Sequence, residues 1–177
     1  MRKFLLLGLF VVVQSTFAQS TSMPDCPGTW NTHSWSNCVG VFVAPEGKKY
    51  ISEFKDEAPH GMGRIYEPDG SFYKGNIVRG KRQGKGEVSY SSGDRYVGDF
   101  FDDKLDGEGV YHIFLSKGRY EGSFKDNLFE GTGTLYYSDG GKYVGQWKAD
   151  QKHGKGVEYN ALGRVEFNGQ FENGERQ

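Results

Sequence analysis

The chain has 177 residues, of which 36% are hydrophobic, 15% aromatic and 27 glycine, and its 22 basic and 23 acidic side chains leave a net charge of −1. That length suits one ordinary domain, but so little aliphatic material among so many glycines excludes a single thick core. So small a charge excludes an overall attraction for nucleic acid or an anionic bilayer, which leaves shape and local patches to select partners.

In chain order, the first element is a short basic start, Met1-Arg2-Lys3, followed by an apolar run from Phe4 to Val13 and a polar turn at Gln14-Ser15-Thr16. This is the layout of a secretory signal over residues 1–18, with the cut expected between Ala18 and Gln19. The run is about half of the ~20 residues that span a bilayer as a helix. Met23-Pro24-Asp25 before Cys26 does not resemble a lipidation box, so a soluble, exported product is expected, periplasmic or extracellular. Residues 19–49 read as an amino-terminal cap. In an oxidising compartment its two cysteines, Cys26 and Cys38, are expected to pair, closing a short loop worth about 3 kcal/mol. Trp30 and Trp35 lie inside that loop and are expected to pack over the first hairpin.

From Tyr50 onward the sequence repeats every 23 or 24 residues. Units open at Tyr50, Tyr73, Tyr96, Tyr120 and Tyr143, and a half-unit opens at Phe167. Two residues on stand Ser52, Gly75, Gly98, Gly122, Gly145 and Gly169, and two further on Phe54, Ile77, Phe100, Phe124, Trp147 and Phe171. That alternation marks one face of a strand. Each unit then carries a glycine pair, from Gly61/Gly63 to Gly154/Gly156, and a run of β-formers such as Val110-Tyr111 or Leu135-Tyr136-Tyr137, which reads as a second strand. Turn residues separate the two, among them Arg79-Gly80 and Asp102-Asp103, and Pro68-Asp69-Gly70 or Asp139-Gly140 follows. Glycine weakens a strand unless something needs the space, so the rings of one strand are expected to lie over the glycines of the next. Before Tyr50, Cys38 and Gly40 stand where a glycine pair would, with Phe42 and Gly47 at later motif positions, giving a degenerate half-unit that closes one end.

Tyr120-Glu121-Gly122-Ser123-Phe124 with Phe129-Glu130-Gly131-Thr132-Gly133, and Tyr143-Val144-Gly145-Gln146-Trp147 with His153-Gly154-Lys155-Gly156, resemble MORN repeats (membrane occupation and recognition nexus). The resemblance runs from about Cys38 to Gly174, and the type expected here is an exported bacterial one. It implies an all-β, elongated, single-layer array of antiparallel hairpins over residues 50–177, five repeats and a carboxy-terminal half-repeat. It implies no particular partner, since similar repeats accompany lipid kinases, methyltransferases and junctional membrane proteins.

Catalysis is not expected, because no serine, cysteine or carboxylate stands in a catalytic arrangement and a thin sheet encloses little volume. No cofactor is expected. A metal site is not expected either: His60 and His153 share a repeat position filled elsewhere by Gln83, Asp106 and Glu130, and His33 and His112 lack partners at ligand spacing. The run Asp99, Asp102, Asp103, Asp106 and Glu108 lacks the spacing of a calcium loop and reads as a solvated hairpin tip. Gly80-Lys81-Arg82-Gln83-Gly84-Lys85 falls one residue short of a phosphate-cradling loop. Its dense basic cluster, Arg79, Lys81, Arg82 and Lys85, is the candidate contact for an anionic lipid surface. At the other end Phe167 and Phe171 are the candidate partner-binding residues. Either their edge adds a strand from a partner or a second copy, giving a homodimer, or Glu172, Glu175 and Arg176 protect it by charge. The function expected is a non-enzymatic interaction or scaffolding repeat protein of the cell envelope with a protein partner, the alternative being a peripheral lipid-binding module.

Overall fold

The computed structural model describes residues 23–30 and 34–177; the expected leader (1–18) and His33 lie outside them. Among the described residues thirteen strands follow one another: β1 (Cys38–Val43), β2 (Lys49–Lys55), β3 (Ala58–Tyr66), β4 (Phe72–Val78), β5 (Lys81–Ser89), β6 (Arg95–Phe101), β7 (Lys104–Ile113), β8 (Gly118–Lys125), β9 (Leu128–Tyr136), β10 (Lys142–Lys148), β11 (Gln151–Tyr159), β12 (Val165–Glu172) and β13 (Glu175–Arg176). They form one antiparallel sheet in sequence order, each strand bonded to the one before and the one after. This is the expected single-layer hairpin array.

Turn chemistry sets that order. Inside each unit, a two-residue tip joins the strands with both residues at positive φ: Arg79-Gly80 at +50° and +79°, Asp102-Asp103 at +50° and +72°, Asp126-Asn127 at +50° and +72°. Such turns match the right-handed twist of the flanking strands. The second tip residue also ties its unit to the previous one. Asp150 N–H donates to the Phe129 carbonyl at 3.1 Å, and Phe129 N–H donates to the Asp150 carboxylate at 2.7 Å. Asn127 makes the same reciprocal pair with Leu105, and Asp103 with Arg82.

The core is a ladder of rings on one face. Tyr73, Tyr96, Tyr120 and Tyr143 are each at most 1% exposed. Tyr96, Tyr120 and Tyr143 each meet the ring of their own strand edge to face, as with Tyr120 and Phe124 at 5.2 Å and 90°, whereas Tyr73 has Ile77 there. Every one of the four has a neighbour in the following unit too, as with Tyr120 and Trp147 at 5.2 Å and 87°. Such pairs add about 0.5–1.5 kcal/mol each beyond area burial. The two glycines of a pair answer two different needs. The Tyr96 ring lies where a Cβ on Gly109 would be, at 2.3 Å, so this glycine makes room for the ring, as the sequence implies. Gly107 sits at φ +113° where the register of β6 and β7 shifts, so it serves a bulge.

Folding back over glycine carries each tyrosine hydroxyl to the carbonyl three residues on, Asn76, Asp99, Ser123 or Gln146, at 2.8–3.1 Å. Ser52 in the first unit denies Tyr50 that path, and its hydroxyl donates to the Gly80 carbonyl at 3.2 Å instead. Burial pushes the phenols up, those of Tyr73 and Tyr143 to about 12. An unfolded tyrosine titrates near 10 (about 10), so the ladder keeps its full stability below that pH and loses it as pH rises through about 12. The thermal midpoint is therefore expected to stay level up to pH ~10 and fall above it, together with the rise in phenolate absorbance. Phenolate forming with no loss of the midpoint would contradict this.

The two ends of the array differ. At the amino terminus Cys26 and Cys38 form the expected disulfide, and Trp35, 4% exposed, lies over Gly40 and packs on Phe54 at 4.9 Å. Trp30 covers Phe42 and Phe54. At the carboxy terminus β13 pairs with β12 at Phe171 and Glu172. There Glu158, which pairs with Phe167, stands in the ladder row filled in earlier units by Ile65, Val88, Tyr111 and Leu135. It accepts hydrogen bonds from Lys152 and, at 2.6 Å, from Arg176.

Candidate functional site

The pairing register lines up one glycine from each strand: Gly63, Gly75, Gly86, Gly98, Gly109, Gly122, Gly133, Gly145, Gly156 and Gly169 are successive partners from β3 to β12. From Gly75 to Gly169 rings cover this column on the core face, and Ser52 and Ile77 lie over Gly63. On the opposite face the column is the floor of an open trough, because residues flanking each glycine project there. One wall follows a single register line, Lys74, Glu87, Val97, Val110, Glu121, Thr134 and Val144. Met62, Lys85 and Glu108 belong to the other wall.

The central recess, from Met62 to Gly122, has a volume of about 650 Å³, and adjoining recesses continue it toward Val39 and toward Lys155. Apolar surface is exposed along the trough, with Met62 at 58% and Val97 at 39% in the central recess and Val144 at 38% in the adjoining one. Charge along it is uneven. Arg64 and Lys74, at the β3–β4 end, have no ion-pair partner among the described residues. Toward β7 and β8 the walls turn acidic, with Glu108 bonded by the Ser123 hydroxyl at 2.6 Å and Glu121 paired with Arg119 at 2.9 Å.

The residues singled out from sequence fall elsewhere. Phe171 is 2% exposed and packs on Tyr143 at 5.0 Å, so it belongs to the core and is not free for a partner. Phe167 lies half-buried beneath the Arg176 guanidinium, 5.3 Å from its ring centre. The basic cluster is largely neutralised by the next unit's acidic run. Lys81 pairs with Asp102, Arg82 with Asp103 at 3.3 Å and Lys85 with Asp99 at 2.8 Å, while Arg79 is exposed without an ion-pair partner among the described residues. Arg82 also lies over the Phe100 ring, so its stem is part of the packing. Among the described residues no group of three or more His, Cys, Asp or Glu is placed to hold a metal ion.

The family model for the MORN repeat matches residues 50–72, 73–95, 96–113, 120–142 and 143–161, more than half of the chain. The chain is a MORN-repeat protein. Repeats of this family suggest an interaction module for membranes or proteins. The chain is similar to Alsin of Homo sapiens, 37% identical over 84 residues, which is 45% of this chain and 5% of Alsin. Alsin of Mus musculus matches to the same extent. Among solved structures it is similar to the TCP10 domain of Danio rerio CPAP, at 19% identity over 74% of this chain and 66% of that one, with a TM-score of 0.33. The SAS-4 (dCPAP) TCP domain of Drosophila melanogaster, in complex with a proline-rich motif of Ana2 (dSTIL), gives 13% identity, 71% and 80% coverage and a TM-score of 0.32. Likeness this loose says nothing about what the MORN array binds.

Proposed function

We propose that this MORN-repeat protein is a non-enzymatic scaffold working outside the cytoplasm, and that it holds an extended polypeptide segment in its glycine trough. The observation that carries this reading is the apolar wall surface of the trough, left exposed while the rings on the other face are buried. From Met62 on β3 to Val144 on β10 the trough crosses seven strand spacings, about 34 Å, enough for about ten residues of extended chain. The charge asymmetry favours a segment with an apolar middle, acidic residues at the Arg64/Lys74 end and basic residues toward Glu108. The Cys26–Cys38 disulfide and the leader expected over residues 1–18 support export to the periplasm or cell exterior.

Peptides selected from a random phage-displayed library against the oxidised chain test this reading by fluorescence anisotropy. Selected sequences are expected to carry an acidic end, and Val97→Lys with Val144→Lys is expected to weaken them at least about tenfold, since two buried charges replace two apolar contacts. Both positions are exposed, so the circular dichroism spectrum stays that of the parent. Equal affinity of the selected peptides for the double variant would remove the trough from the account.

A further inference from the structure

The outer edge of β1 is where hydrogen-bonding capacity and exposed apolar surface coincide. Val39 N–H donates to the Pro24 carbonyl at 2.8 Å, and Cys26 N–H donates to the Val39 carbonyl at 2.8 Å. The odd-numbered residues of β1 therefore turn their backbone groups away from β2. Val41 and Val43 do the same, but have no backbone partner on that side among the described residues. Their side chains are 52% and 58% exposed. Val41 lies beside Ile51 of β2. An edge protected against strand addition carries charge, as the two-residue β13 at the other end of the sheet does with Glu175 and Arg176. No residue of β1 is charged.

We propose that this edge receives β1 of a second copy of the chain, antiparallel about a two-fold axis at Phe42. Val41 then bonds to Val43 of the second copy and Val43 to its Val41, four backbone hydrogen bonds in all. The two Phe42 residues fall on a non-hydrogen-bonded position, where opposed side chains approach most closely. Phe42 carries the ring ladder into β1, stacked on Tyr50 at 6.1 Å, with the Trp30 ring 4.6 Å away. Pairing joins the two ladders through it, while Val41, Val43 and Ile51 of each copy cover one another on the trough face. The strap from Pro24 to Cys26 fixes the register. Held by the disulfide to Cys38, it occupies the backbone groups of Val39, so the added strand has only Val41 and Val43 to bond. The contact uses the same surface on both copies and closes on itself, so it gives a dimer and not a fibre.

Sedimentation velocity of the full oxidised chain over a wide concentration range tests this. The parent is expected to pass from monomer to dimer. Val41→Lys, at an exposed position, is expected to raise the dissociation constant at least about tenfold by bringing like charges into an apolar contact, and Val43→Lys to do the same. Val165→Lys, at a 57% exposed valine on β12, leaves it unchanged. Unchanged circular dichroism in all three shows that the monomer fold is intact. A parent that stays monomeric throughout, a dimer indifferent to both Val41→Lys and Val43→Lys, or one lost in Val165→Lys overturns the proposal.

Discussion

Gly133→Ala is expected to cost about 3 kcal/mol, the upper end for overpacking a filled site. The new methyl would stand 2.3 Å from the Tyr120 hydroxyl oxygen and 2.4 Å from a ring carbon. That ring is 0% exposed and held by Phe124, Phe129 and Trp147, so it has nowhere to move. Gly163→Ala is the comparison. At φ +75° with nothing within 4 Å of the added atom, it carries only the strain of a left-handed backbone, about 1 kcal/mol. In a Tyr120→Leu background the Gly133→Ala penalty is expected to shrink, because the smaller side chain frees the site. Urea denaturation followed by tyrosine and tryptophan fluorescence gives all four values. If Gly133→Ala costs no more than Gly163→Ala, rings do not depend on the glycine column.

The second large effect is at Glu158. Burial opposes its ionisation and is the largest single influence, but the hydrogen bonds and charges of Lys152 and Arg176 together outweigh it and hold the carboxyl below the usual range. A lowered folded pKa means that this group stabilises the last repeat above the ordinary carboxylate range and ceases to do so as pH falls through the folded value. Glu158→Leu is expected to cost about 3 kcal/mol, since it leaves Lys152 charged and part-buried among the rings of Tyr137, Tyr143 and Phe171. Adding Lys152→Leu is expected to restore most of that stability. It recreates the apolar pairing of the fourth unit, where Leu135 and Phe129 hold these two places. Amide hydrogen exchange confined to β11 and β12 reads the change locally. A double variant no more protected than Glu158→Leu alone would show that the triad fixes the carboxy-terminal strands by more than charge compensation.

Much of this architecture is legible in the chain because the demands on it recur. Tyrosine, glycine and a bulky residue at two-residue spacing can serve only a strand with one covered face, and the repeat multiplies that signal. The glycine pair was half-legible. Space for a ring follows from the residue type, whereas the bulge at Gly107 or Gly131 depends on a register visible only once strands are paired. The tip aspartates read as turn formers, but their bonds to the previous unit join residues about 21 apart and leave no local pattern. Phe171 was expected at a free edge. The sequence motif shows that it lies on the ring face, but not that β13 and Arg176 fold back to cover that face. The basic cluster looked free because its acidic partners lie in the following unit. The trough was not legible at all. Its walls are ordinary lysines, glutamates, valines and threonines, and only the alignment of glycines across ten strands makes them a surface.

The claim that this surface is the functional one is tested most directly by placing a photoreactive amino acid at Val97, in the trough, and separately at Leu162, which is 77% exposed at a turn between units. Each is irradiated with a peptide selected on the parent chain. The account predicts efficient cross-linking from Val97, mapping to the apolar middle of the peptide, and none from Leu162. Cross-linking from Leu162 and not from Val97 would contradict it.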